Sequence, residues 1–155
     1  MPIDVGVTVT GDEELLAALR AMRRRALDMS PALRDVGDLL RLHFKAQFAT
    51  EGAQGGKKWA PLTPKYAAWK LKRVGPQPIL QFSGDLVKSF TSKPMAVEEV
   101  GPREARFGSD VRYAVFHQFG APRANLVARP PIVVTHGLQA EVNRLLIEHI
   151  VGAED

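Results

Sequence analysis

At 155 residues and 17.0 kDa, with 45% apolar and 25% charged residues, the chain fits one globular domain with a real core and excludes wholesale disorder. It has no cysteine, which rules out disulfide staples and thiolate metal sites. The net charge of +4 is lopsided: residues 1–78 hold 13 Lys and Arg against 8 Asp and Glu, whereas residues 79–155 hold 8 against 9.

Ile3, Val5, Val7 and Val9 alternate with small or polar residues and predict a short half-buried strand. Thr10-Gly11 and the acids Asp12, Glu13 and Glu14 then suit a helix start. That helix carries Leu15, Leu16, Leu19, Met22, Ala26 and Leu27 on one face. Arg20, Arg23, Arg24 and Arg25 lie toward its C-terminal end, where the helix dipole favours cations. Ser30-Pro31 reads as a capping hydroxyl followed by a first-turn proline. From Pro31 to about Thr50, Leu33, Val36, Leu40, Phe44 and Phe48 keep the 3–4 spacing of one buried stripe. His43 is expected at the surface or edge of this helix, with no second ligand placed to share a metal.

Two glycine- and proline-containing segments, about 51–58 and 74–78, read as flexible connections. Between them Thr63-Pro64 opens a short helix through Tyr66, Ala67, Trp69 and Lys70. Gly52 to Pro78 contains Lys57, Lys58, Lys65, Lys70, Lys72 and Arg73 and no acid. Such a segment suits DNA phosphates, an acidic partner or plain solvation. Trp59 and Trp69 lie within it and are expected to anchor it to a core. A further helical turn is expected after a cap at Ser83. Residues 91–109 predict a hairpin that turns at Gly101-Pro102-Arg103.

Tyr113-Ala-Val-Phe-His-Gln-Phe-Gly120 is the most concentrated stretch of the chain. Tyr113, Phe116 and Phe119 share one side of a short helix, with Ser109-Asp110 as its cap and Gly120 as its stop. Pro130 and Pro131 stiffen the segment that follows. By pattern alone this is a core helix and a rigid turn. The last helix runs from about Thr135, with Leu138, Val142, Leu145, Leu146, His149 and Ile150 on one face. The sum is an α+β domain: N-terminal amphipathic helices, a small antiparallel sheet and a C-terminal helix.

Catalytic groupings are absent from the pattern. There is no Gly-x-Ser-x-Gly, and the four histidines (43, 117, 136, 149) are isolated. Glu13-Glu14 and Glu98-Glu99 are explained by a helix start and a hairpin. Neither a metal nor another cofactor is expected. No leader is visible at Met1-Pro-Ile-Asp4, and no apolar run approaches the roughly 18–20 residues of a membrane span, so a soluble cytoplasmic chain with no membrane contact is expected.

The order of motifs goes further. Phe44-x-x-Gln47-Phe48, Glu51-Gly52, Trp59-x-Pro61-Leu62, Tyr66-Ala67 and Lys70 come first. Pro78-Ile79-Leu80, Ser83-Gly84-x-Leu86 and Ser89-Phe90 follow. Gly108-Ser109, Tyr113-Ala114, His117-Gln118-Phe119-Gly120 and Ala128-Arg129-Pro130 complete the series. Together, over residues 31–135, they resemble the phage virion morphogenesis (tail completion) family. Pro131-Ile132 departs from it where an aromatic commonly follows Arg-Pro, as does Phe82-Ser83 where a threonine is expected.

The resemblance implies a non-enzymatic structural protein of a tailed phage or prophage, acting in tail completion or head–tail joining. It also implies a homo-oligomeric ring at the head-proximal end of the tail or at the neck, made in the host cytoplasm and docked on other tail or neck proteins. Tyr113, Phe116, His117, Gln118, Phe119, Gly120, Arg129, Pro130 and Trp59 become the candidate interface motif, with Arg129 reaching either a neighbour's carboxylate or a partner in its own chain. Lys57, Lys58, Lys65, Lys70, Lys72 and Arg73 become candidate contacts to a DNA channel or an acidic partner. A stand-alone basic nucleic-acid-binding protein is the rival reading; for the assembly protein at most weak, non-specific DNA contact is expected.

Overall fold

The computed structural model of the protein describes residues 6–8 and 11–152. Ile3, Val5, Val9 and the Thr10 cap lie outside the described residues, and Val7 is an exposed residue outside any strand. Six helices and one hairpin follow: α1 (Asp12–Leu27), α2 (Ser30–Ala49), α3 (Pro64–Val74), α4 (Asp85–Thr91), β1 (Val97–Val100), β2 (Ala105–Gly108), α5 (Ala114–Phe119) and α6 (His136–Val151). The architecture is α+β, as expected.

α4, α6 and the hairpin pack around α2. Its stripe buries Val36, Phe44 and Phe48, because residues three and four apart share one helix face. Phe44 and Phe48 meet Phe90 of α4 at ring-centroid distances of 5.1 and 6.0 Å, and Trp59 stands edge-on to Phe48 at 5.5 Å. Leu86 and Met95 complete this core. On another side α2 receives α6, whose N-cap Thr135 accepts from the Leu138 N–H at 3.1 Å.

β1 and β2 pair antiparallel, with Val97 opposite Gly108 and Val100 opposite Ala105. The turn between them is closed by the Gly101 N–H donating to the Glu104 carbonyl. The hairpin lies close to α2 because position 37 is a glycine: a Cβ there would sit 2.6 Å from the Phe107 ring. Arg41 ties the two together, donating to the Ser92 carbonyl and to Glu98, and it also pairs with Asp38.

Three local expectations are corrected. Ser30 is inside α2 rather than capping it: Met29 occupies the cap and the Ser30 N–H donates to Asp28 Oδ1. The α4 cap is Gly84 at φ 87°, and the Ser83 hydroxyl, one residue earlier, donates to the Asp85 carboxylate and accepts from the Asp85 N–H at 3.4 Å. His43 is buried, its Nε2 3.1 Å from the Val133 carbonyl oxygen, so it fastens the segment before α6 onto α2.

The largest departure is α1, which buries no residue at all. Leu15, Leu16, Leu19 and Leu27 are all exposed. Its C-terminal half is nevertheless anchored. Arg25 donates from Nε and Nη2 to the last carbonyls of α6, at Ile150 and Val151, and His149 Nε2 lies within hydrogen-bond distance of the Arg25 and Asp28 carbonyls. The two C-termini cap each other. Arg25 thus serves a neighbouring helix's negative end.

Candidate functional site

Two polar residues of the motif series, Gln47 and Trp59, converge on one backbone atom, the Pro130 carbonyl oxygen. It accepts from Trp59 Nε1 and from Gln47 Nε2, both at 3.1 Å. The other end of the Gln47 amide accepts from the Gly55 N–H at 2.7 Å, so a polar residue in the buried stripe of α2 is fully used. Glu51-Gly52 makes room for Trp59: Gly52 has φ 96°, and a Cβ there would lie 2.5 Å from the indole.

Arg129 is the second anchor. It is 7% exposed, and its Nε and Nη2 donate to the successive carbonyls of Ala60 and Pro61 at 2.7 and 2.9 Å. The guanidinium fork therefore clamps the backbone before α3 and is not free for a neighbour's carboxylate. Its own N–H donates to the His117 carbonyl at 2.7 Å, joining α5 to the Arg-Pro segment. Gln118 adds a two-point clamp, donating to the Ile132 carbonyl and accepting from the Ile132 N–H. Gly120, at φ 78°, lets the chain turn against the Leu126 carbonyl, where a Cβ would sit 3.0 Å from its oxygen.

What this scaffold holds outward is apolar. Phe116 is 51% and Phe119 76% exposed, with Tyr113 and Val115 exposed beside them. The expected core helix is thus a surface element, because a six-residue helix held by its backbone and Gln118 keeps its rings toward solvent. The expected cap is absent too: Tyr113 is at the N-cap, while the Ser109 hydroxyl accepts from the Val111 N–H and bonds Ser89.

Next to α5 lies a groove of about 530 Å³ walled by Tyr66, Leu80, Phe82, Tyr113, Leu126 and Val127. On its rim Tyr66, Trp69 and Phe82 form a continuous stack, with centroid spacings of 5.5 and 5.6 Å and the last pair within 8° of parallel. Trp69 is 47% exposed, so it does not anchor the segment to the core as Trp59 does. No grouping in the sequence pointed to this stack, since Phe82 reaches it from outside α3.

His117 also faces the groove. Its ring stands edge-on to Tyr113 at 5.8 Å, and its Nδ1 finds no partner among the described residues. Burial, and then the nearby Arg129 charge, hold its pKa below the usual value near 6.5. The neutral ring is favoured in the fold, so this contribution is full above about pH 6.5 and is lost as pH falls through the lowered folded value. Urea midpoints from pH 7.5 to 5 should fall in the native protein and fall less in His117→Gln; parallel curves would refute this. Asp38, lowered by Lys93 and then Arg41, titrates below its ordinary 3.8 and stays out of that window.

The sequence model of the phage virion morphogenesis family matches residues 10–150. The chain belongs to that family. The match extends beyond the resemblance over 31–135 at both ends, taking in α1 and nearly all of α6. No curated protein and no solved structure matches the chain. Membership indicates a structural role in building a phage particle and fits association with the virion.

In this virion morphogenesis protein the basic segment is not one patch. Lys57 and Lys58 are exposed on the loop before Trp59, and Lys65, Lys72 and Arg73 are exposed along α3. Lys70 is not available to DNA or to a partner. It is 4% exposed, its ammonium donates to the Pro78 carbonyl, and desolvation lowers its pKa against the opposing pull of Glu51. Among the described residues no helix is long and apolar enough to cross a membrane, and no group of three or more His, Asp or Glu is placed to hold a metal.

Proposed function

We propose that this chain completes phage tails or joins them to heads, as a homo-oligomeric ring at the head-proximal end of the tail or at the neck. It is made in the host cytoplasm and acts by contact rather than catalysis. One observation carries the reading. The motif series spends its polar residues on internal clamps, at Gln47, Trp59, Gln118, Arg129 and Pro130, and holds Phe116 and Phe119 rigidly in solvent. A preformed apolar surface on a braced short helix suits protein–protein contact, where exposed aromatics become anchors.

Phe116→Ala and Phe119→Ala are therefore expected to leave the melting temperature within a few degrees of native, since little burial is lost. They should block tail joining. Electron microscopy of lysates from a phage with either substitution, or without the gene, should show filled heads and unjoined tails. Normal virions from the deletion would remove the proposal. The isolated chain should show a concentration-dependent oligomer by light scattering, burying at least about 1,000 Å² per contact.

The exposed Tyr66–Trp69–Phe82 stack beside Lys65, Lys72 and Arg73 favours a second reading, stand-alone nucleic-acid binding. Trp69 already stacks on both Tyr66 and Phe82, which reduces the ring surface left for bases. With Lys70 withdrawn, five cations spread over a loop and a helix support weak contact alone. Titration with short single-stranded and duplex DNA should show binding only at low salt. Tight saturation at physiological salt, with a slope near −0.9 per neutralised phosphate in duplex, would favour the second reading instead.

A further inference from the structure

Two exposed surfaces on this chain are complementary to each other, and they lie on different elements. The first is the N-terminal half of α1. Every residue from Gly11 to Arg20 is exposed. Asp12, Leu15, Leu16 and Leu19 share one helix face by their three- and four-residue spacing, and Glu13 and Glu14 add charge to the same turn. A two-turn amphipathic segment has little helical stability without a surface to pack on. The second surface is the groove between α3, the 80–85 segment and the exit of α5, with walls that are mostly apolar and a stacked aromatic rim. Lys65, Lys72 and Arg73 flank that rim on α3, where Trp69 and Tyr66 share their face. Asp85 is the single carboxylate among the lining residues.

We infer that α1 of one copy docks in the Tyr66–Phe82 groove of the next, its leucines on the aromatic walls and its acidic first turn against Lys65, Lys72 and Arg73. The occupant is a second copy of this chain because the chain carries both halves of the match: an acidic, leucine-faced helix with none of the described residues covering its leucines, and an aromatic groove with exposed cations beside it on α3. The patches differ, so the contact is heterologous and runs head to tail, which closes into a ring when the rotation permits. This rests on the homo-oligomer reading above and assigns it a specific contact. It also gives the N-terminal half of α1 a packing surface that it lacks among the described residues.

The test uses the full-length protein, with charge reversal and rescue. Asp12, Glu13 and Glu14 changed together to Lys should raise the concentration for half assembly at least about tenfold. Lys65, Lys72 and Arg73 changed together to Glu should do the same. Both sets combined in one chain should restore assembly to near the native concentration. Circular dichroism would confirm that each variant is folded. The absence of native cysteines allows an independent measurement: Leu16→Cys with Val127→Cys in one chain should give, on oxidation, a ladder of cross-linked multimers, while either cysteine alone should stop at dimers.

A native protein that assembles while both reversals leave assembly unchanged, or the combination fails to rescue it, would overturn this contact and leave the ring reading standing. A strict monomer at high concentration, with no ladder, would overturn both. A groove reversal that removes binding of single-stranded DNA but not assembly would give the groove to nucleic acid and overturn the contact.

Discussion

Arg129→Met is expected to destabilise the protein by about 3–5 kcal/mol, lowering the melting temperature by about 8–15 °C for a chain of this size. The side chain is buried and its fork satisfies the Ala60 and Pro61 carbonyls at once. Methionine fills much of the volume but removes two hydrogen bonds from a charged donor, each worth about 1.5–3 kcal/mol. Arg129→Lys should recover less than half, because a single ammonium on a flexible stem does not reproduce two donors set at a fixed spacing. Thermal melts of the three proteins decide this. A Lys variant as stable as the native protein would show that charge, rather than fork geometry, holds the segment. If the proposed function holds, tail joining should fail together with stability, since the Arg129 side chain fixes the segment whose backbone N–H bonds the His117 carbonyl of α5.

Phe48→Ala should have a comparable effect, about 3–5 kcal/mol, for a different reason. Phe48 is 1% exposed and touches both Trp59 and Phe90, so truncation opens a cavity between α2, α4 and the Trp59 loop. That loop cannot collapse into the space without breaking the Trp59 and Gln47 bonds to Pro130. Phe48→Leu should cost far less, as most of the volume is kept. The contrast with Phe119→Ala is the sharper measurement. Two phenylalanines from one chain should differ by several kcal/mol in stability, and equal melting temperatures would contradict the burial of one and the exposure of the other.

Periodicity was enough for the elements with one unambiguous face. In α2 the spacing of Val36, Phe44 and Phe48 marks the buried side, and in α6 the start near Thr135 and the inward position of Leu138 follow from local pattern. The hairpin was legible for the same reason, since Gly101-Pro102-Arg103 interrupts two alternating arms. The same reasoning misplaced Phe116 and Phe119, because an apolar stripe says which residues share a face and not what covers it. In α1 the leucine face is as regular as in α2, yet among the described residues no element lies over it. His43 and Lys70 failed in the opposite sense. Each is a polar residue whose partner is a backbone carbonyl distant in sequence or across a turn, at Val133 and Pro78, and side-chain spacing carries no trace of it.

The amino-acid sequence by itself determined the α+β class, the central helix, the hairpin and, through the order of its motifs, the family. Those depend on local periodicity, capping and turn chemistry, which neighbouring residues settle among themselves. Only the tertiary structure decided what the motifs are for. Gln47 and Trp59 are far from Pro130 in the chain, as Arg129 is from Ala60 and Pro61, and they meet because a carbonyl taken from solvent must find donors wherever the fold brings them. Phe116, Phe119 and the α1 leucines are left in solvent because the core closes around α2 without them, and which apolar face a single chain leaves uncovered depends on packing between distant elements.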